Sequence, residues 1–180
     1  MSRKIIWLLD LDGVVNCTAP SWGEAPHKVH VITMEEFRHV AMEWRIRWAP
    51  TLIKRILTVH ALPHVEVVWC STWCLPGADG VPQIRRVEKA MRLPELRCAF
   101  QSVSGLGQEA IHAAKRRAAL EVLDSGTDLI WTDDEVVPSL GDSWRDILAE
   151  RGNTLLVRPK WNKGLTREDM DLIESWTARV

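Results

Sequence analysis

Two aspartates follow an apolar run near the start of the chain. Residues 5–9 read Ile-Ile-Trp-Leu-Leu, and Asp10, Leu11, Asp12 and Gly13 come directly after them. Short apolar runs of this kind form buried strands, and ligands of open α/β sheets gather at the carboxyl ends of the strands. Side chains at positions i and i+2 of an extended segment point to the same side. Because adjacent carboxylates repel unless a cation or a proton separates them, the pattern indicates a Mg²⁺ site with a nucleophile and a proton donor beside it.

A second acidic pair favours this interpretation over a polar turn, in which Asp and Gly are also ordinary residues. Asp133 and Asp134 directly follow the apolar segment 129–132, Leu-Ile-Trp-Thr. Asp is a good helix N-cap, which is the simpler explanation of this pair alone. Two parallel strands that both end in paired carboxylates could, however, supply the oxygen ligands of one Mg²⁺ that keeps several waters.

Hydroxyl groups and a lysine complete the set of candidate residues. Ser71 and Thr72 follow the apolar run 65–70, where hydroxyls and backbone N–H groups could bind a phosphate, although a plain turn would look the same. Lys115 lies before the second acidic pair and is the candidate cation, with Lys89 as the competing candidate. An ordinary surface lysine is the alternative for either one.

Strands and helices alternate along the chain, which predicts an α/β fold with a central parallel sheet and helices on both faces. We expect core strands at 4–10, 65–70, 97–103, 128–132 and 154–157. We expect helices at 51–61, 82–92, 109–123, 142–150 and 166–176. Residues 1–180 would form a single domain.

A small insertion around residues 16–48 is expected to form a flap. Large apolar residues occupy every second position of 40–48, which predicts a half-buried strand with Trp44 and Trp48 on its apolar face. Paired with residues 28–33, this strand would form an antiparallel hairpin over the carboxylates. A helix over 35–45 is the alternative, because that segment contains good helix formers.

Composition limits where the protein acts. The chain has 180 residues and a net charge of −1, so no overall field attracts it to nucleic acid or membrane. Its apolar segments are too short to span a bilayer, and Asp10 and Asp12 interrupt what would be the apolar core of a signal peptide. The four cysteines lack zinc-type spacing and are expected to be buried thiols. We therefore expect a cytoplasmic protein without a membrane partner or an evident obligate protein partner.

Four motifs in this order resemble those of the haloacid dehalogenase-like (HAD) superfamily. They are Asp10-x-Asp12-Gly13-Val14, the hydroxyl group after strand 65–70, Lys115, and Asp133-Asp134. More narrowly, three segments resemble the HAD domains of Swiss-army-knife RNA repair proteins and of small actinobacterial and phage HAD proteins: Val-Trp-Cys-Ser-Thr-Trp at 68–73, Ile-Trp-Thr-Asp-Asp-Glu at 130–135, and Gly-Leu-Thr at 164–166 before a helix with Trp176. The resemblance implies a three-layer Rossmann-like fold with a small or minimal cap.

The resemblance also implies a role for each candidate residue. Asp10 would be the nucleophile that takes the phosphoryl group, and Asp12 would protonate the leaving oxygen and then deprotonate the attacking water. Mg²⁺ would be bound by the Asp10 carboxylate, the Asp12 backbone carbonyl and Asp133, with Asp134 at the edge or acting through water. Lys115 and Ser71 would hold phosphate oxygens, with Thr72 as the second candidate hydroxyl.

The activity implied is Mg²⁺-dependent hydrolysis of a phosphomonoester through an aspartyl-phosphate. A dianionic phosphate approaches a carboxylate only when cations offset the repulsion, and a carboxylate nucleophile divides one difficult displacement into two easier steps. A proton donor at Asp12 favours phosphoester cleavage over release of a halide. Two alternatives stay open: a non-catalytic HAD-fold module that binds a phosphorylated ligand or a partner protein, and a phosphotransferase.

The expected substrate is a phosphorylated small molecule, a nucleotide or a nucleic-acid end. A small cap leaves the cleft open, which suits a macromolecular substrate. Trp22, Trp44 and Trp48 could line the cleft and stack on a base, although core packing explains the last two better. Trp161, which lies among Arg158, Lys160 and Lys163, is another candidate contact to nucleic acid.

Overall fold

The computed structural model describes residues 3–22, 28–36, 40–105 and 107–179. The strands are β1 (Ile5–Leu9), β2 (Lys28–Glu36), β3 (Val40–Trp48), β4 (Val65–Trp69), β5 (Asp128–Thr132) and β6 (Thr154–Val157). The helices are α1 (Pro50–His60), α2 (Ile84–Met91), α3 (Gln108–Asp124), α4 (Ser143–Arg151) and α5 (Arg167–Thr177). A short 3₁₀ turn, Thr72–Cys74, follows β4.

A central four-stranded sheet in the order β4-β1-β5-β6 is parallel throughout. Alternate residues of β1 pack on opposite faces of this sheet, since Trp7 and Leu9 join the core formed with α1, α2 and α5, whereas Leu8 joins the core formed with α3 and α4. Every residue of β1 and β5 is buried, as expected for strands covered by helices on both sides. The predicted three-layer α/β fold with a parallel sheet is confirmed.

The strand predicted at 97–103 is wrong. Of that segment, only Cys98 forms a bridge to the sheet, opposite Trp69 at the end of β4, with Trp69 N donating to Arg97 O (2.9 Å) and Ala99 N donating to Trp69 O (2.8 Å). The segment reaches the sheet edge only beside the last residue of β4, because the chain just before it is tied to α2: Leu96 N donates to the Glu88 carboxylate (2.8 Å). No further length of β4 is available to pair with it.

The predicted hairpin is present, and it extends to Glu36. β2 and β3 pair antiparallel from Lys28 opposite Trp48 to Glu36 opposite Val40, which excludes the helix considered over 35–45 for the described part of that segment. Ile32, Ile46 and Trp48 are buried beneath the hairpin.

Two tryptophans differ from their predicted positions. Trp44 is 38 % exposed rather than part of the core, and it packs edge-on against Trp73. Trp22 is buried and its Nε1 donates to Leu165 O (2.7 Å), so it lies in the core and not along the cleft. A tertiary partner decides both positions. Trp44 packs on Trp73, and the buried indole N–H of Trp22 needs an acceptor, which the backbone of Leu165 supplies.

Helix termini agree closely with their sequence signals. Asp142 caps α4 through a bond from Trp144 N, and Thr166 and Asp169 form a complete capping box at the start of α5. The four cysteines are buried free thiols. Among the residues that the structure describes, no helix has the length and apolar character needed to cross a lipid bilayer.

Candidate active site

The carboxyl ends of β1 and β5 meet because the two strands are neighbours in parallel register. Leu9 lies opposite Thr132, and Asp10 N donates to Thr132 O (3.1 Å), which brings Asp10 and Asp133 to the same edge of the sheet. Both side chains are buried, Asp133 completely. Two carboxylates at such depth require a compensating positive charge.

Lys115 supplies that charge from α3. Its Nζ lies 2.5 Å from Asp10 Oδ2 and 2.7 Å from Asp133 Oδ2, and the lysine itself is buried. Lys89, the competing candidate, is exposed on α2. The structure therefore brings Lys115 to both acidic strand ends.

Backbone N–H groups hold the second oxygen of each buried aspartate. Asp10 Oδ1 accepts from Leu11 N (2.7 Å). Asp133 Oδ1 accepts from Glu135 N (2.9 Å) and Val136 N (2.6 Å), so it organises the turn after β5 instead of capping a helix. Both oxygens of each carboxylate therefore have hydrogen-bond partners, which fix the orientation of the two side chains.

Three carboxylates form a group that could hold a metal ion. One oxygen from each of Asp10, Asp133 and Asp134 lies within 4.8 Å of the other two. Three ionised carboxylates and one ammonium leave an excess of two negative charges, which a divalent cation would neutralise, and oxygen donors of this type are those that Mg²⁺ prefers. The donor set and its charge fit the cofactor expected from the sequence.

The Asp12 side chain is not part of this group. The expected contact of a metal ion with the Asp12 backbone carbonyl stays a prediction. β1 ends at Leu9, so the alternation of an extended strand no longer applies to Asp10–Asp12. The Asp12 carboxylate instead accepts from Asn16 Nδ2 (2.6 Å) and Trp73 Nε1 (2.7 Å). The two aspartates of the first motif line one pocket in different hydrogen-bond environments.

Burial and charge shift the pKa values in this cluster. Burial raises the pKa of Asp10 to about 7, against the opposing effect of Lys115, and Asp133 adds to the rise. Burial, followed by the charge of Asp133, also raises the pKa of Asp134. Burial disfavours the charged Lys115 ammonium, but Asp10 and Asp133 outweigh it and raise its pKa above the ordinary value. A divalent cation would favour the ionised carboxylates and so lower the pKa of Asp10.

Ser71 and Thr72 occupy different positions at the end of β4. Ser71 is buried beside Asp10 and opposes the rise in the pKa of that carboxyl, yet its Oγ forms no well-oriented hydrogen bond with any described residue. Thr72 is exposed and lines the pocket. The Ser71 hydroxyl is a buried polar group that a bound phosphate oxygen would satisfy.

An open pocket of about 510 Å³ lies above the cluster. Its lining consists of Asp10, Asp12, Gly13, Thr72, Gln108, Ile111, His112, Lys115, Asp134, Glu135 and Trp161. Gln108 and His112 were not identified from the sequence, although they precede Lys115 by seven and three residues, which is the spacing of one helix face. Helical periodicity starting from Lys115 could have found them.

Gly13 allows the loop after β1 to approach Asp134. Its φ is +70°, and a Cβ at this position would lie 2.2 Å from Asp134 Cγ. A side chain at position 13 would therefore displace a carboxylate of the acidic group. The sequence identified Gly13 as a turn residue, but this close approach depends on the fold.

One comparison with known proteins agrees with this site. The sequence profile of a family described as the HAD domain in Swiss Army Knife RNA repair proteins matches residues 6–170, a range that contains every residue of the pocket. No curated protein and no solved structure matches the chain. The resemblance inferred from the motifs is thereby confirmed.

Replacing Gly13 by Ala tests the close approach. Gly126 is the matched control, because it also has a positive φ (+76°) but a Cβ there would have no neighbour within 4 Å. We expect Gly126→Ala to lower the free energy of unfolding by about 1 kcal/mol through backbone strain, and Gly13→Ala to lower it by a further ~1–3 kcal/mol through the clash with Asp134. Equal losses in urea unfolding would contradict the contact.

Proposed function

The chain belongs to the family of HAD domains found in Swiss Army Knife RNA repair proteins, and from this membership and the site geometry we propose that it is a Mg²⁺-dependent phosphatase. The family supports HAD-type phosphohydrolase chemistry in general. The proposed reaction is hydrolysis of a phosphomonoester through an aspartyl-phosphate on Asp10. The observation that carries the proposal is the cluster in which Lys115 pairs with Asp10 and Asp133 below an open pocket.

In the first step, Asp10 attacks the phosphorus atom and the bond between phosphorus and the leaving oxygen breaks. Lys115 and the Ser71 hydroxyl hold non-bridging oxygens, which offsets repulsion between the phosphate and the carboxylate. Bound by Asp10, Asp133, Asp134 and the Asp12 backbone carbonyl, Mg²⁺ would supply further neutralisation of charge on the transferred group. Thr72 is the second hydroxyl at the pocket, on its exposed side.

Asp12 is the proton donor of the first step and the proton acceptor of the second. It gives a proton to the leaving oxygen as that bond breaks, and then takes a proton from the water that attacks the aspartyl-phosphate. The second step releases inorganic phosphate and restores the Asp10 carboxylate. Such acid–base help contributes about 10²–10⁴-fold to the rate.

We propose a nucleotide or a phosphorylated nucleic-acid end as the substrate. The indole of Trp161 is 65 % exposed and lines the pocket above Lys115. A second groove, of about 480 Å³, continues from this pocket along Trp161, Arg158 and Lys160. An exposed aromatic side chain with nearby cations suits a base and its backbone phosphate. A phosphorylated small molecule would need only the inner pocket.

For this proposed function, the first prediction concerns the nucleophile. We expect Asp10→Asn to reduce turnover of p-nitrophenyl phosphate with Mg²⁺ by at least about 10³-fold, because an amide cannot form the covalent intermediate. Asp146→Asn, at an exposed position of α4, is the control and should retain full activity. Activity retained by Asp10→Asn, or undiminished by EDTA, would refute the mechanism.

The same assay separates the two alternatives. A non-catalytic binding module would release no phosphate under any condition. A phosphotransferase would release p-nitrophenol but form little inorganic phosphate when an alcohol acceptor is added. Equal amounts of both products, independent of the acceptor, are expected of the phosphatase.

The second prediction concerns the metal. We expect Mg²⁺ to raise the melting temperature, with a gain of about 2.7 kcal/mol when free Mg²⁺ is one hundred times Kd. Burial raises the pKa of Asp10 from 3.8 to about 7. Protonation of this carboxyl therefore stabilises the metal-free fold, and that stabilisation is lost as the pH rises through this interval. Mg²⁺ takes the place of the proton, so its stabilising effect should grow from pH 5 to pH 8.

Asp134→Asn tests the position of the metal, and Asp146→Asn is its control. This variant removes one carboxylate of the group and leaves both ion pairs of Lys115 in place. The stabilisation by Mg²⁺ should fall in Asp134→Asn and persist in Asp146→Asn. An equal shift for all three proteins, measured by differential scanning fluorimetry, would place the cation elsewhere.

The third prediction concerns the substrate. Stacking of a base on an aromatic side chain is worth about 1–3 kcal/mol, so Trp161→Ala should raise KM for a 5′- or 3′-phosphorylated oligonucleotide by roughly 5- to 150-fold. Hydrolysis of ethyl phosphate, which has no base, should change less than about twofold. Leu140→Ala, an exposed apolar position, is the control. Equal effects on both substrates would reject the stacking role.

A further inference from the structure

Two side chains that belong to none of the four HAD-like motifs hold the Asp12 carboxylate, although one of them, Trp73, ends the segment 68–73. Trp73 Nε1 donates to Oδ2 (2.7 Å), and Asn16 Nδ2 donates to Oδ1 (2.6 Å). Trp73 belongs to the 3₁₀ turn after β4, whereas Asn16 belongs to the loop after β1. Donors from two separate segments therefore fix both oxygens of one carboxylate.

Both donors are themselves held in place. Asn16 Oδ1 accepts from Arg47 N (2.7 Å), so the backbone of β3 orients the amide that binds Asp12. Trp73 is buried, and the ring of Trp44, also on β3, packs edge-on against it with 5.8 Å between the centroids. β3 therefore contacts both side chains that bind Asp12, Asn16 and Trp73.

Both oxygens of the Asp12 carboxylate accept from donors that do not belong to the group of Asp10, Asp133, Asp134 and Lys115. Asp12 is only two residues from Asp10, so without these donors its carboxylate would be attracted towards the Lys115 ammonium. Each carboxylate oxygen accepts more than one hydrogen bond, so the two donors leave lone pairs of Asp12 free, and Asp12 lines the pocket. The Asp12 carboxylate thus belongs to a residue that lines the pocket, but it is not one of the three carboxylates that could hold a metal ion.

We propose that Trp73 and Asn16 are positioning residues that fix the Asp12 carboxylate for proton transfer. This inference rests on the proposed phosphatase function, and it concerns the orientation of Asp12. A proton donor must lie within hydrogen-bond reach of the leaving oxygen, and small displacements in an active site lower rates steeply.

The two chemical steps depend on Asp12 differently, which gives a specific test. p-Nitrophenolate is a stable anion and leaves without a proton, so the first step with p-nitrophenyl phosphate should not need a well-placed Asp12. Ethoxide needs the proton to leave from ethyl phosphate. Attack of water on the aspartyl-phosphate needs Asp12 as a base for either substrate.

The experiment compares wild type with Trp73→Phe, which retains an aromatic ring and removes the N–H donor. With p-nitrophenyl phosphate and Mg²⁺, we expect a rapid release of about one equivalent of p-nitrophenolate, within threefold of the wild-type rate. Later turnover, and all turnover of ethyl phosphate, should slow by about 10- to 100-fold. Trp176→Phe, on a half-buried tryptophan of α5, is the matched control and should leave all three rates unchanged.

Each outcome decides the inference. Equal slowing of the first release and of ethyl phosphate turnover would assign Trp73 a structural role alone, and unchanged rates in Trp73→Phe would remove any role. A wild-type protein without Mg²⁺-dependent hydrolysis would overturn the proposed function and this inference with it. If Trp73→Phe does not fold, Asn16→Ala removes the other donor and must show the same split between the two substrates.

Discussion

The ion pairs of Lys115 with two buried aspartates are the interaction on which the rest of the structure depends. Removing the charge of one residue in these ion pairs would leave the opposite charge of its partner uncompensated in the protein interior. This costs about 3–5 kcal/mol in typical buried pairs. The lysine comes from α3 and the aspartates follow β1 and β5, so one group ties a helix to the ends of two neighbouring strands. The same group leaves net negative charge at the pocket. Stability of the fold and attraction for a cation therefore have one source.

The order of strands in the sheet makes this cluster possible. β1 lies between β4 and β5, so the residues that follow all three strands reach one edge, where Asp10, Ser71 and Asp133 are buried together. The loops above this edge must also come close, and Gly13 permits that because a side chain there would meet Asp134. The parallel topology sets which residues can meet, and the loop residues set how closely they do so.

Much of this arrangement follows from sequence patterns with a local physical cause. Apolar runs identified β1, β4 and β5, alternation identified β3, and a capping box identified the start of α5. The segment 97–103 has the same strand-like composition, but its attachment to α2 through Glu88 brings only its first residues to the sheet. Local composition does not record such an anchor. Trp44 and Trp22 were misplaced for the same reason, since each position is decided by a partner distant in sequence.

The two aspartates of the first motif lie in different environments. β1 ends at Leu9 and the chain turns after it, so Asp10 and Asp12 do not belong to one extended strand. Asp10 then lies at Lys115, whereas Asp12 is held by Trp73 and Asn16. Carboxylates in one environment would compete for the same cation and the same proton, and separate hydrogen-bond partners remove that competition. The different environments of the two aspartates therefore depend on residues outside the motif, which is why the motif alone did not reveal them.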